Sequence, residues 1–166
     1  MNKLIFTALL SLMVLVSCNK NNDCDPETIT SKWIPGKEIS VDYNMEFERN
    51  DYSVVDGDRR LFEYHHSGAQ CDNVYDDEWG EKLSFIIDAE TADFEFTDQD
   101  IMQTHCFYQE YGAWVRHNQY EINEGIIKGE KISKNEWRIE VSVTTTPLFD
   151  DEQPKIIAFT GIFKEE

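Results

Sequence analysis

An all-β fold, an antiparallel sandwich of about eight strands, is what this sequence predicts, on two observations. Apolar and polar residues alternate with period two in segment after segment, and turn-forming Gly, Asn and Asp separate those segments at short intervals. Val41, Tyr43, Met45 and Phe47 alternate with Asp42, Asn44, Glu46 and Glu48, as a strand with one wet face should. Ser53 to Val55, then Asp56-Gly57, then Leu61 to His66 read as two strands joined by a tight hairpin, because Asp-Gly accepts positive backbone angles. Leu83, Phe85 and Ile87 define a further strand, and Phe94 with Phe96 a short one. Trp114 to Ile122, Ile126 to Ile132, Trp137 to Val143 and Ile156 to Phe163 supply the rest. Thr97 followed by Asp100 is a candidate helix cap, so one short helix is expected near 97–107. A closed barrel satisfies the same strand pattern.

The N-terminus has a different character. Lys3 precedes an apolar run from Leu4 to Val16, broken by Thr7 and Ser11. At about 13 residues the run falls short of the roughly 20 needed to span a bilayer as a helix, and polar residues 19–25 follow it. It reads as a secretion signal over residues 1–17. Its end, Leu15-Val16-Ser17-Cys18, resembles the lipobox of bacterial lipoproteins. That resemblance implies cleavage before Cys18, lipid on the Cys18 sulfur and an acyl chain such as palmitate on its new amino group. Together these anchor more firmly than one chain alone. Asn19 stands where the family's inner-membrane retention residue would be Asp, so the resemblance implies the outer membrane, with the periplasmic or surface face left open. Residues 18–31 are expected to be a polar tether and 32–166 a single domain.

Residues 120 to 163, with Glu124-Gly125-Ile126-Ile127 and Phe159-Thr160-Gly161-Ile162-Phe163, resemble the C-terminal hairpins of small β-sandwich lipoprotein domains. Lys32-Trp33 before the first strand resembles part of the lipocalin signature, which implies the alternative, a lipocalin-like barrel.

The formal charge is −18, from 33 acidic and 15 basic side chains. Such a surface repels nucleic acid and suits a basic partner. At 13% aromatic residues the chain has the means to pack a core despite that charge. With Cys18 lipidated, Cys24, Cys71 and Cys106 remain in an oxidising compartment, and Cys71 with Cys106 is the favoured disulfide, since Cys24 falls in the tether, with a pairing to Cys24 as the alternative.

No motif for catalysis is present: there is no Gly-x-Ser-x-Gly elbow, no His-Glu-x-x-His and no phosphate-cradling Gly-rich loop ending in Lys-Ser/Thr. A non-enzymatic protein is therefore expected, with an envelope hydrolase as the competing class. His65, His66, Cys71, His105 and Cys106 offer nitrogen and sulfur for zinc, but adjacent strand residues face opposite ways and oxidation removes thiolates. Calcium suits Asp72, Asp76, Asp77 and Glu78 in one loop and Asp150, Asp151 and Glu152 in another. Neither run has the spacing of an EF-hand, and a solvated acidic loop explains them more simply, so no cofactor is expected.

Trp33, Trp79, Trp114 and Trp137, with Tyr75, Tyr108, Tyr111 and Tyr120, are the material for a sugar or peptide platform. Trp79 is the candidate binding residue because it lies in a polar acidic loop, whereas Trp137 sits on the apolar face of a clear strand. The expected function is a membrane-anchored binding module, of immunity or inhibitor type, that meets a basic protein or a glycan. The alternative is an envelope carrier of a small hydrophobic ligand.

Overall fold

The computed structural model describes residues 24–71, 74–75, 78–115 and 119–166. Cys18 and residues 1–17, the expected secretion signal, lie outside these residues, as do Asp72, Asp76 and Asp77. The described residues form ten strands and one 3-10 helix. The strands are β1 (Cys24–Asp25), β2 (Thr28–Asn44), β3 (Arg49–Ser67), β4 (Gln70–Cys71), β5 (Trp79–Ile87), β6 (Asp93–Thr97), β7 (Phe107–Gly112), β8 (Gln119–Lys131), β9 (Glu136–Thr145) and β10 (Ile156–Glu165). The expected all-β class is the class observed. Among the described residues no helix is long and apolar enough to cross a membrane.

The hydrogen-bonded neighbours form a ring: β8, β7, β5, β3, β2, β10, β9 and back to β8. A ring of seven up-and-down strands has an odd count, so its first and last members run the same way. Accordingly β2 and β10 pair in parallel, Lys164 opposite Lys32 and Glu165 opposite Trp33. The short strand β6 joins the far half of β8's other edge, beyond the part that pairs with β7. Inward-facing side chains fill the ring: Phe62, Phe85, Trp137, Ile139 and Phe163 have 1% or less of their surface exposed. Phe62 stacks on Phe85 and meets Trp137 edge-on, the arrangements aromatic quadrupoles favour. Arg60 lies over the rings of Trp33 and Trp137 and donates to the Thr91 carbonyl at 2.7 Å.

The far half of the β2–β3 hairpin makes a second layer. Pairing shifts register where Pro35 and Gly36 face Asp56 to Arg59, with Gly36 at φ +69°. Gly57 completes the bulge, since a Cβ there would lie 2.5 Å from Glu38 Cβ. Bulges bend a ribbon, and this one folds the arm over the outer face of the ring. Ile39 and Tyr52 then cover Leu61, Ile86 and Phe107. That covering explains why Ser84, Phe85, Ile86 and Ile87 are buried on both faces of β5. Gln119 pins the arm by both hydrogen-bonding groups of Tyr52: the Tyr52 amide donates to Oε1 at 3.0 Å, and Nε2 donates to the Tyr52 carbonyl at 2.9 Å.

Several local expectations are corrected. Asp56-Gly57 is no hairpin turn: β3 runs through it unbroken, and the turn is residues 45–48, where Asn44 Oδ1 accepts from the amides of Glu46 and Phe47. Val41 and Tyr43 lie in β2 but remain exposed with Met45 and Phe47, because the arm runs past the surface it covers. The short helix is 3-10, spans Asp98–Thr104 and has no side-chain cap from Thr97; Asp98 instead accepts from the Gly125 amide. Trp114 falls in the turn between β7 and β8 rather than in a strand. Residues 24–31 are not tether: β1 and the start of β2 occupy them.

The expected Cys71–Cys106 disulfide is also corrected. Cys24 pairs with Cys71, because β1 and β4 set the two residues opposite each other. Cys106 is a free thiol in the core, 2% exposed, and burial pushes its pKa up.

Candidate functional site

One end of the ring is open. There the start of β5, the turn after β7, the start of β8 and the loop before β10 surround a cleft of about 590 Å³. Its aromatic wall is Trp79, Trp114 and Tyr120, with Trp79 40% and Trp114 86% exposed. Among the described residues three carboxylates line it, Glu78, Glu110 and Glu152, with one cation, Lys155. Glu152 is held in place from two directions: the Tyr120 hydroxyl donates to it at 3.3 Å and the Leu148 amide at 3.0 Å.

Behind the cleft a chain of polar groups crosses the ring. Lys155 donates to Glu110. The buried Tyr108 hydroxyl donates to Glu81 at 2.6 Å and lies 3.0 Å from Glu110, so its single proton serves one carboxylate at a time. Burial and the Glu81 carboxylate both push the Tyr108 pKa up. Glu81 also meets His66 Nδ1 at 3.1 Å, and Glu27 meets His66 Nε2 at 2.5 Å. Burial works against a charged His66, but the two carboxylates outweigh it and hold its pKa above the usual 6.5. When protonated, the ring is a clasp between the N-terminal segment and β5.

His65 points the other way, to the outer face, where it meets the Tyr111 hydroxyl and Ser67 Oγ. Adjacent strand residues diverge here as strand geometry requires. Desolvation and the nearby Lys82 lower the His65 pKa. His105 lies on a third surface, its ring nitrogen 2.9 Å from the Ile39 carbonyl. Thus His65, His66 and His105, considered together for zinc, are dispersed. Among the described residues no group of three or more His, Cys, Asp or Glu side chains is placed to hold a metal ion. Of the calcium candidates, Glu78 is described and lines the cleft.

Trp79, the residue singled out from the sequence, is in the cleft and touches the His66 ring edge-on at 5.1 Å. Trp33 and Trp137 are core. Glu110 and Lys155 carried no local signal: one sits in a strand, the other before one, and only closure of the ring brings them together. No family model matches the chain, and no curated protein or solved structure matches it either.

Proposed function

We propose that this chain is a lipid-anchored, non-enzymatic binding module of the bacterial envelope, held to the outer membrane through Cys18, and that the open end of its ring receives a basic protein partner. The observation that carries the reading is the cleft: exposed indole surface and, among the described residues, three carboxylates at one end of a ring whose interior is filled. Clefts of this size with a few convergent polar groups are the usual form of a recognition site. Exposed Trp supplies large contact area and cation–π attraction. The net charge of −18 speeds encounter with a basic surface. A hydrophobic carrier needs an internal cavity, and here Phe62, Phe85, Trp137 and Phe163 occupy the interior, which favours the surface site.

The test uses the mature lipoprotein in detergent micelles with envelope extract. A basic partner should be retained at low ionic strength and released at about 0.5 M salt, where screening shortens the reach of surface charge to a few ångströms. The double substitution Trp79→Ala, Trp114→Ala should abolish retention. Salt-independent capture, or capture undiminished in the double variant, would sink the reading.

A further inference from the structure

The cleft already holds a cation supplied by the chain itself. The backbone of Lys155 is fixed to β9 on both sides: its amide donates to Thr145 Oγ1 at 2.9 Å, and its carbonyl accepts from the Thr145 amide at 2.9 Å. From that fixed point the side chain reaches across the cleft to Glu110. The two partners differ in how they sit. The Glu110 carboxylate is 12% exposed, rooted in β7 opposite Glu81, whereas the Lys155 side chain is 48% exposed on a flexible four-carbon stem. The acceptor is thus preorganised and the donor is free to leave into solvent.

We infer that Lys155 is an internal stand-in for the ligand: the cleft is a receptor for the ammonium or guanidinium head of a partner's Lys or Arg side chain, which displaces Lys155 from Glu110. The inference rests on the cleft being the binding surface and adds the chemical class it recognises. Glu78 and Glu152 leave the described lining acidic even with Lys155 present, which attracts an entering cation. Trp79 and Trp114 offer faces to a flat guanidinium, which is weakly hydrated and stacks on indole. A displaced Lys155 ammonium is hydrated outside, so the exchange costs one half-exposed ion pair and gains one that is flanked by aromatic surface.

Intrinsic tryptophan fluorescence of the mature protein reads the exchange. The probes are a short blocked Arg peptide (acetyl-Gly-Arg-Gly-amide), its Gln counterpart, ethanolamine phosphate and a neutral oligosaccharide. The Arg peptide should quench with a salt-sensitive midpoint, and Trp114→Ala, at a largely exposed turn position, should remove the response without unfolding the chain. Lys155→Ala should tighten binding by about threefold, the scale of a lost competing ion pair near a surface. Glu110→Gln should weaken it about tenfold, as expected when a charge-assisted hydrogen bond is lost. Unchanged or weaker binding in Lys155→Ala overturns the stand-in role, and equal quenching by the Gln peptide overturns the cation class. Quenching by ethanolamine phosphate as strong as by the Arg peptide overturns a protein side chain as the source. Quenching by the oligosaccharide alone overturns this inference but leaves the cleft as the binding surface. Envelope capture that survives the Trp79, Trp114 double substitution overturns the cleft itself.

Discussion

Removing the Cys24–Cys71 disulfide by Cys71→Ser is the most informative perturbation of the fold. The bond closes a loop of 47 residues in sequence separation. In the chain-entropy model such a loop restrains the unfolded chain by about 4 kcal/mol. Little else in the described residues holds the N-terminal segment at that point: β1 pairs with β4 over two residue pairs, and the Glu27 contact to His66 is the next tie. For a domain whose total stability is of order 5–15 kcal/mol, the loss is about a quarter or more of the whole. At 2–4 °C per kcal/mol for a chain of this size, the melting temperature should fall by about 10 °C. Urea unfolding followed by far-UV circular dichroism, on the wild-type protein with and without reductant and on Cys71→Ser, measures it. The reductant should lower the wild-type midpoint to that of the variant and leave the variant unmoved. Alkylation in denaturant without reductant should label Cys106 alone among Cys24, Cys71 and Cys106. A stability change under about 1 kcal/mol would refute the loop-closure reasoning, and recovery of a Cys71–Cys106 peptide would refute the pairing itself.

Other consequences follow from contacts described above. Gln119→Ala removes both hydrogen bonds to the Tyr52 backbone and should cost about 1–2 kcal/mol in urea unfolding, with faster amide exchange at Tyr52. Equal exchange in variant and wild type would show that the arm is held without that clasp. Because the folded pKa of His66 is raised, its clasp is fully present below the unfolded value near 6.5 and is lost as pH rises through the folded value. Stability should therefore decline across that window in the wild type and stay flat in His66→Gln, as read by melting temperature against pH. Gly129→Ala places a Cβ 2.2 Å from Phe94 Cζ and 2.8 Å from Ile139 Cδ1, so overpacking should cost about 1–3 kcal/mol and alter the near-UV spectrum.

Much of the fold was legible because alternation is a local property. Trp137, Ile139, Val141 and Val143 needed no neighbour to declare which face of β9 turns inward, and all four are buried. The same rule misled at Val41 to Phe47: β2 holds Val41 and Tyr43 but ends at Asn44, Met45 and Phe47 fall in the turn, and exposure depended on how far the arm overruns its support. Asp56-Gly57 carried the chemistry of a tight turn, yet Gly36 and Pro35 lie across from it in β2, and a bulge used the same backbone freedom. Cys71 seemed nearer in kind to Cys106 than to Cys24 until β1 and β4 paired. At the candidate site, Trp79 stood out for lying among acids. Trp114 read as a strand residue, since the turn that exposes it has no Gly-Asn or Asn-Gly signal beyond Gly112.

By itself the sequence determined the all-β class, the inward face of most strands, the acidic surface and the expectation of an anchor at Cys18, because each of these is written in residues close together along the chain. Only the tertiary structure decided that the strands close into a ring, that the β2–β3 arm folds over it, and that Cys24 takes Cys71. It alone brought Glu110 on β7, Lys155 before β10 and Trp79 on β5 to one cleft. Closure is a pairing between distant segments, β8 with β9 and β10 with β2, and the energy that selects it comes from filling one interior with Phe62, Phe85, Trp137 and Phe163 together. No short window of residues contains that sum.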